Sequence, residues 1–143
     1  MMLLDMVILT ETLREQLVRH EGLRLEPYAC TEGFTTIGVG RNLESNGISH
    51  EEAMFMLDND IAEFTEEVRD RIDFFDELSE ARQNVLINMA FNMGTYGLMK
   101  FKKMLAAMQE QDFEEAAAQM LDSRWSTQVG NRSRELADIM RQD

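Results

Sequence analysis

One stretch limits what this chain can fold into more than any other: residues 20–43, HEGLRLEPYACTEGFTTIGVGRNL. It contains the only proline, the only cysteine and four of the eight glycines of a 143-residue chain. Around it, apolar residues recur at spacings of three and four, the signature of amphipathic helices. Within it, the pattern shortens to an alternation through Tyr28, Phe34, Thr36, Ile37 and Val39, with a turn at Thr31–Gly33. That predicts short strands rather than helix. A helical protein with one β ribbon near its start is therefore an α+β chain, mostly α.

The flanking helices have readable ends. Leu13, Leu17 and Val18 share a face of a first helix, which begins at Thr10 or at a Thr12–Glu15 capping box. Gly22 should stop it, leaving Glu21 as its last residue. Ser49 and Glu52 form a second capping box. Ala53, Leu57, Ile61, Phe64, Val68 and Ile72 then run along one long helix. Ser79 opens another, with Val85, Leu86, Met89 and Met93 on one face and breaks expected at Gly94 and Gly97. Leu98, Phe101, Leu105 and Met108 mark the next, Asp112 caps one more, and a last helix begins near Asn131. Two lobes joined by the long helix would leave a cleft beside the ribbon. A single domain is expected, with a β lobe over about 22–48 and a helical body over 1–21 and 49–143.

Charge removes several functions. The net charge is −13, whereas general nucleic-acid binding depends on Lys and Arg neutralising phosphates. Residues 51–80 alone hold twelve acids against Arg69 and Arg71. A solvated helix face explains them better than a calcium site, whose loop geometry is absent. No metal or other cofactor is expected. A lone cysteine forms no internal disulfide. The apolar start, MMLLDMVILT, carries Asp5 and falls short of the roughly 20 apolar residues of a membrane span. It reads as a core-packing segment or, less favourably, an interfacial anchor, with no stable membrane insertion. The twelve methionines at helical spacing suit core better than a binding groove.

Glu21 has chemistry available to it from position alone. A carboxylate at a helix C-terminus faces the negative end of the macrodipole, which favours the protonated form a general acid needs. A surface Glu that merely ends a helix has the same sequence appearance. The spacing Glu21–Cys30–Thr36 within EG…Y…TEGFTTIGVG, followed by INMAFNMG at 87–94, SRW at 123–125 and NR at 131–132, resembles the phage lysozyme (endolysin) family of glycoside hydrolases, T-even phage type. The resemblance covers roughly residues 13–134.

That resemblance implies a lysozyme-like fold. It also implies a muramidase cutting peptidoglycan between N-acetylmuramic acid and N-acetylglucosamine. Glu21 matches the general acid, Cys30 the position where many members have Asp, and Thr36 the residue that helps hold the attacking water. Asn88, Phe91, Asn92 and Arg132 match substrate-binding positions. Arg41 stands where some members have His. Trp125 reads as a core anchor rather than a sugar platform. The enzyme is expected to be a monomer that collects in the host cytoplasm and reaches the wall through a separate holin-type pore. A glycan-binding module with reduced catalysis and a virion-associated wall-opening protein are the alternatives. Arg24, Arg41, Arg124, Arg132, Arg134 and the three lysines, Lys100, Lys102 and Lys103, predict a basic rim on an acidic body.

Overall fold

The computed structural model describes residues 10–142. The reading of the first nine residues as a core-packing segment lies outside them. Contacts divide the chain at Ala53/Met54 into two compact units.

The first unit is built on helix α1 (Leu13–Glu21), strands β1 (Arg24–Ala29), β2 (Thr35–Gly38) and β3 (Arg41–Asn42), and the short helix α2 (Leu43–Asn46). The α1 start is the expected cap: Thr12 Oγ1 accepts from the Glu15 N–H at 3.1 Å. Its end is equally local. Gly22 has φ +82°, a left-handed value that L residues avoid, and its N–H donates to Val18 O at 2.8 Å. The three strands form an antiparallel sheet in the order β1-β2-β3. Tyr28 pairs with Thr36, and Thr36 with Asn42, so Thr36 sits at the middle of the middle strand. The turn between β1 and β2 closes through the Gly33 N–H on Cys30 O (2.8 Å) and the Cys30 N–H on Phe34 O (3.0 Å). Helix α2 has no counterpart in the sequence reading. Asn42 caps it, with Oδ1 accepting from Ser45 N–H, and it ends at Gly47.

Helix α3 (His50–Arg71) runs out of this unit into the second. Its capping box is reciprocal: Glu52 N–H donates to Ser49 Oγ at 3.1 Å and Ser49 N–H to Glu52 Oε1 at 2.8 Å. The second unit adds a 3-10 turn (Phe75–Glu77) and helices α4 (Glu80–Met99), α5 (Lys102–Gln109), α6 (Phe113–Leu121), α7 (Arg124–Val129) and α8 (Asn131–Gln142). The caps of α4 and α6 are the expected Ser79 and Asp112. Helix α7, capped by Ser123, is shorter than the periodic patterns that betray helices in sequence and was not expected.

The core lies in this second unit. Val68, Phe75, Leu86, Met89, Leu98, Met104, Met108, Met120 and Met140 are all fully buried. Five of the methionines are thus gap-filling core, while Met54 and Met56 on α3 are exposed. The two glycines of α4 separate in role. Gly94 (φ +81°, ψ 155°) interrupts the helix, as expected. Gly97 does not: a Cβ there would lie 2.9 Å from Met93 Cγ, so this glycine admits a methionine side chain instead of breaking a helix. The α1 face Leu13, Leu17 and Val18 forms as a stripe but stays exposed, by 69%, 42% and 37%.

Candidate active site

The expected catalytic residues all lie in the first unit. Glu21 ends α1, and its carboxylate rests on the backbone of Gly40. A Cβ added at Gly40 would meet Glu21 Oε2 at 2.8 Å, Cδ at 3.2 Å and Cβ at 3.3 Å. Gly40 also has φ +66°, so two independent reasons demand glycine there. The sequence reading missed this residue. Its signal was the second glycine of GVG, directly after β2. Glu21 is exposed and takes no hydrogen bond or ion pair among the described residues.

Cys30 is a half-buried free thiol at the end of β1. Its pKa is lowered, first by the Phe34 N–H, then by the Glu32 N–H and the Thr36 hydroxyl, against the opposing effects of burial and of the Glu32 carboxylate. The turn itself supplies most of these donors, so no cation is needed to favour the thiolate. Thr36 is the one buried residue described in this unit, at 3% exposure. Its hydroxyl donates to Phe34 O at 2.8 Å. That single hydrogen can turn instead to the Cys30 sulfur once the thiol ionises. The structure therefore brings Cys30 and Thr36 together around one turn, and seats Glu21 separately on Gly40.

Arg41, expected on a basic rim, is committed locally: it donates to Glu52 Oε2 at 2.7 Å and to Gly47 O at 3.3 Å. Arg24 lies over the Tyr28 ring, 4.5 Å from its centroid.

In the second unit, α4 carries Asn88, Phe91 and Asn92, all exposed. Arg132, near the start of α8, donates twice to Asn88 Oδ1, from Nη2 at 2.7 Å and from Nε at 3.0 Å, and from Nη2 to Asn88 O at 3.3 Å. Asn92 Oδ1 accepts from Trp125 Nε1 at 2.8 Å. Trp125 is buried and meets Phe101 edge to face at 5.9 Å, so it is the expected core anchor. Phe91 tilts against Phe64 with ring centroids 5.5 Å apart. A cavity of about 400 Å³ opens here, lined by apolar Leu57, Ile61, Ile87 and Phe91 and by polar Asn84, Asn88 and Arg132. A second, of about 420 Å³, gathers Lys100, Lys102, Lys103 and Arg124 beside Trp125. Half of the expected basic rim is thus one cluster. No group of three or more potential metal ligands occurs among the described residues, and none of their helices is long and apolar enough to cross a membrane.

A three-stranded ribbon that carries a glycine-seated carboxylate and a thiol–threonine turn, followed in the chain by a helical unit, is the element set of a lysozyme-type glycosidase. The chain belongs to the phage lysozyme family, whose profile matches residues 18–142. It is 32% identical over 157 aligned positions to the pre-baseplate central spike protein Gp5 of Enterobacteria phage T4, covering 90% of this chain but only 27% of that protein. It is 28% identical to probable T4-type lysozyme 2 of Dictyostelium discoideum, covering 92% of this chain and 94% of that one. It is 29% identical to an endolysin of Acyrthosiphon pisum secondary endosymbiont phage 1, covering 81% and 78% respectively.

Proposed function

We propose that this chain is an endolysin-type muramidase. It hydrolyses the β-1,4 bond between N-acetylmuramic acid and N-acetylglucosamine in bacterial peptidoglycan and so lyses the host cell. The observation that carries this reading is the family match over residues 18–142, which takes in Glu21, Cys30, Thr36, Asn88, Phe91, Asn92 and Arg132. The geometry around those residues supports it.

In this reading Glu21 is the general acid and delivers its proton to the departing glycosidic oxygen. Its seat on Gly40 fixes where that proton is presented. Water adds to the anomeric carbon as the bond breaks. Cys30 and Thr36 serve that water: the hydroxyl orients it, and the lowered pKa keeps more of Cys30 as thiolate, the form able to take the proton the water gives up. Asn88, Phe91, Asn92 and Arg132 bind the glycan. The reaction uses no cofactor. The enzyme works as a monomer, collects in the host cytoplasm and meets the wall after a separate pore forms. It binds no nucleic acid and does not insert stably in the membrane.

The test is turbidity loss of peptidoglycan or permeabilised cells with Glu21→Gln against wild type. Gln keeps the size and cannot give the proton, so lysis should fall by about 10²–10⁴-fold with the fold intact. A folded Gln variant with near wild-type lysis would remove Glu21 from the mechanism. A second reading, a wall-opening part of a virion, rests on the likeness to the spike protein Gp5. Finding this chain in purified particles would favour it.

A further inference from the structure

Helix α4 carries an asparagine on three successive turns, Asn84, Asn88 and Asn92. Four residues advance a helix by about 6 Å, so the amides form a row. Asn84 has no part in the family pattern used above, yet it lines the same cavity as Asn88 and Phe91. Gly94 ends the regular helix just after the row.

The orientation of two of these amides is chemically forced. Arg132 has only donors, so the Asn88 atom facing both of its nitrogens must be oxygen. Trp125 Nε1 is likewise a donor only, so the Asn92 atom at 2.8 Å must be oxygen too. With each Oδ1 occupied, each Nδ2 has no protein partner among the described residues, and neither does the amide of Asn84. With their oxygens claimed, Asn88 and Asn92 have only N–H groups left to offer a ligand, and Asn84, whose amide is unpaired among the described residues, can turn its own N–H the same way.

We propose that Asn84, Asn88 and Asn92 form a donor row that recognises acetamido carbonyl groups of the glycan, with Asn84 a substrate-contacting residue and Arg132 and Trp125 positioning residues that hold the Asn88 and Asn92 amides, respectively, with their nitrogens free. The proposal rests on the muramidase reading and specifies what that site selects. A carbonyl oxygen accepts and cannot donate, so it matches such a row. A de-N-acetylated sugar presents an ammonium, which only donates and meets the row with the wrong polarity. The apolar lining from Leu57, Ile61 and Ile87 suits the acetamido methyl.

The experiment compares cleavage of N-acetylated and de-N-acetylated glycan by wild type and by Asn84→Asp, Asn84→Ala and Trp125→Phe. In parallel, side-chain amide NMR signals are followed during titration with N-acetylglucosamine oligomers. Asn84→Asp replaces a donor with a pure acceptor. It should raise KM on acetylated glycan about 10-fold with kcat little changed, and shift preference toward the de-N-acetylated chain. Asn84→Ala should raise KM less and leave preference nearer wild type. Trp125→Phe keeps a ring but frees Asn92 to rotate, so it should weaken discrimination between the two glycans. The Asn84 amide signal, identified by its loss in Asn84→Asp, should move as the oligomer binds. A merely structural Asn84 would change stability and leave the acetylated to de-N-acetylated ratio untouched. An unchanged ratio in Asn84→Asp with wild-type cleavage intact overturns the donor row and leaves the muramidase reading standing. Failure of wild type to bind or cut either glycan overturns both.

Discussion

The two compact units are stabilised by different means. From Met54 onward, buried side chains from six helices and a 3-10 turn interlock, with Phe75, Leu86, Met89 and Met140 essentially inaccessible. Up to Ala53, the described residues include one buried side chain, and it is Thr36, a polar residue in the candidate site. That unit is specified by caps, turns and left-handed glycines at Gly22, Gly33, Gly38, Gly40 and Gly47. The difference teaches where the chemistry was placed. The catalytic candidates Glu21, Cys30 and Thr36 stand on a scaffold defined by backbone conformation, whereas the candidate glycan contacts Asn88, Phe91, Asn92 and Arg132 stand on helices of the unit that holds the buried core.

Substitutions that delete volume and substitutions that constrain backbone should therefore separate stability from activity. Leu86→Ala opens a cavity in the helical core and should cost about 2–5 kcal/mol. Urea denaturation would measure it, and activity per folded molecule should stay near wild type. Gly40→Ala should do the reverse. Its left-handed φ costs roughly 1–2 kcal/mol for an L residue, while the new methyl meets the Glu21 carboxylate at 2.8 Å and swings it off its seat. Misplacing a catalytic group by about 1 Å can cost on the order of 10²-fold, so lysis should drop by that order. If Gly40→Ala keeps full activity, the carboxylate's seat on Gly40 is incidental.

This contrast also explains what was legible beforehand. The Thr12 cap of the first helix, its end at Gly22, the Ser49–Glu52 capping box and the Ser79 and Asp112 caps depend on hydrogen bonds within three or four residues, and they were read correctly. Gly97 was misread because helix-breaking and close-packing glycines look alike without the tertiary neighbour, here Met93. Helices α2 and α7 are too short to show periodicity. Glu21, Cys30 and Thr36 were singled out as catalytic candidates through motif spacing, not physics alone. Gly40 and Asn84 were not singled out because the contact of one with Glu21 and the place of the other in the cavity lining exist only in three dimensions. Exposure of the α1 apolar stripe could not be read from its pattern, which fixes a face and not what covers it.

Cys30 sharpens the comparison at one titrating group. Its folded pKa lies below the ordinary thiol value of 9.0, with the Phe34 N–H as the largest cause. Thiolate is then the better-bound form in the folded state. The stability it contributes is fully present above the unfolded thiol pKa and is lost as pH falls through the lower folded one. Alkylation by iodoacetamide should show a rate midpoint below 9.0, and unfolding should move it back up. Cys30→Asp should keep lysis within about 10-fold of wild type, whereas Cys30→Ala should lose on the order of 10²-fold. Full activity in a folded Cys30→Ala protein would make the residue a packing thiol.

The smallest expected effect lies where the two units meet in sequence, at the start of α3. Ser49 and Glu52 cap that helix reciprocally, at 3.1 and 2.8 Å, and Arg41 reaches Glu52 from β3 at 2.7 Å. The Ser49 N–H, then its hydroxyl, then the Arg41 charge hold the Glu52 carboxyl below the usual carboxylate value of 4.5. Because the folded pKa is depressed, the stability from this group is present above 4.5 and disappears as pH falls through the folded value. Ser49→Ala removes the hydroxyl and should cost about 1 kcal/mol at neutral pH, as for other N-cap serines. Well below 4.5 the protonated Glu52 no longer depends on these donors, so the gap between Ser49→Ala and wild type should narrow in urea titrations. Arg41→Gln should reproduce part of the neutral-pH loss and weaken with added salt, since the pair is solvent-exposed on both sides. A Ser49→Ala deficit that stays constant from neutral to acid pH would mean that the hydroxyl caps α3 without involving Glu52.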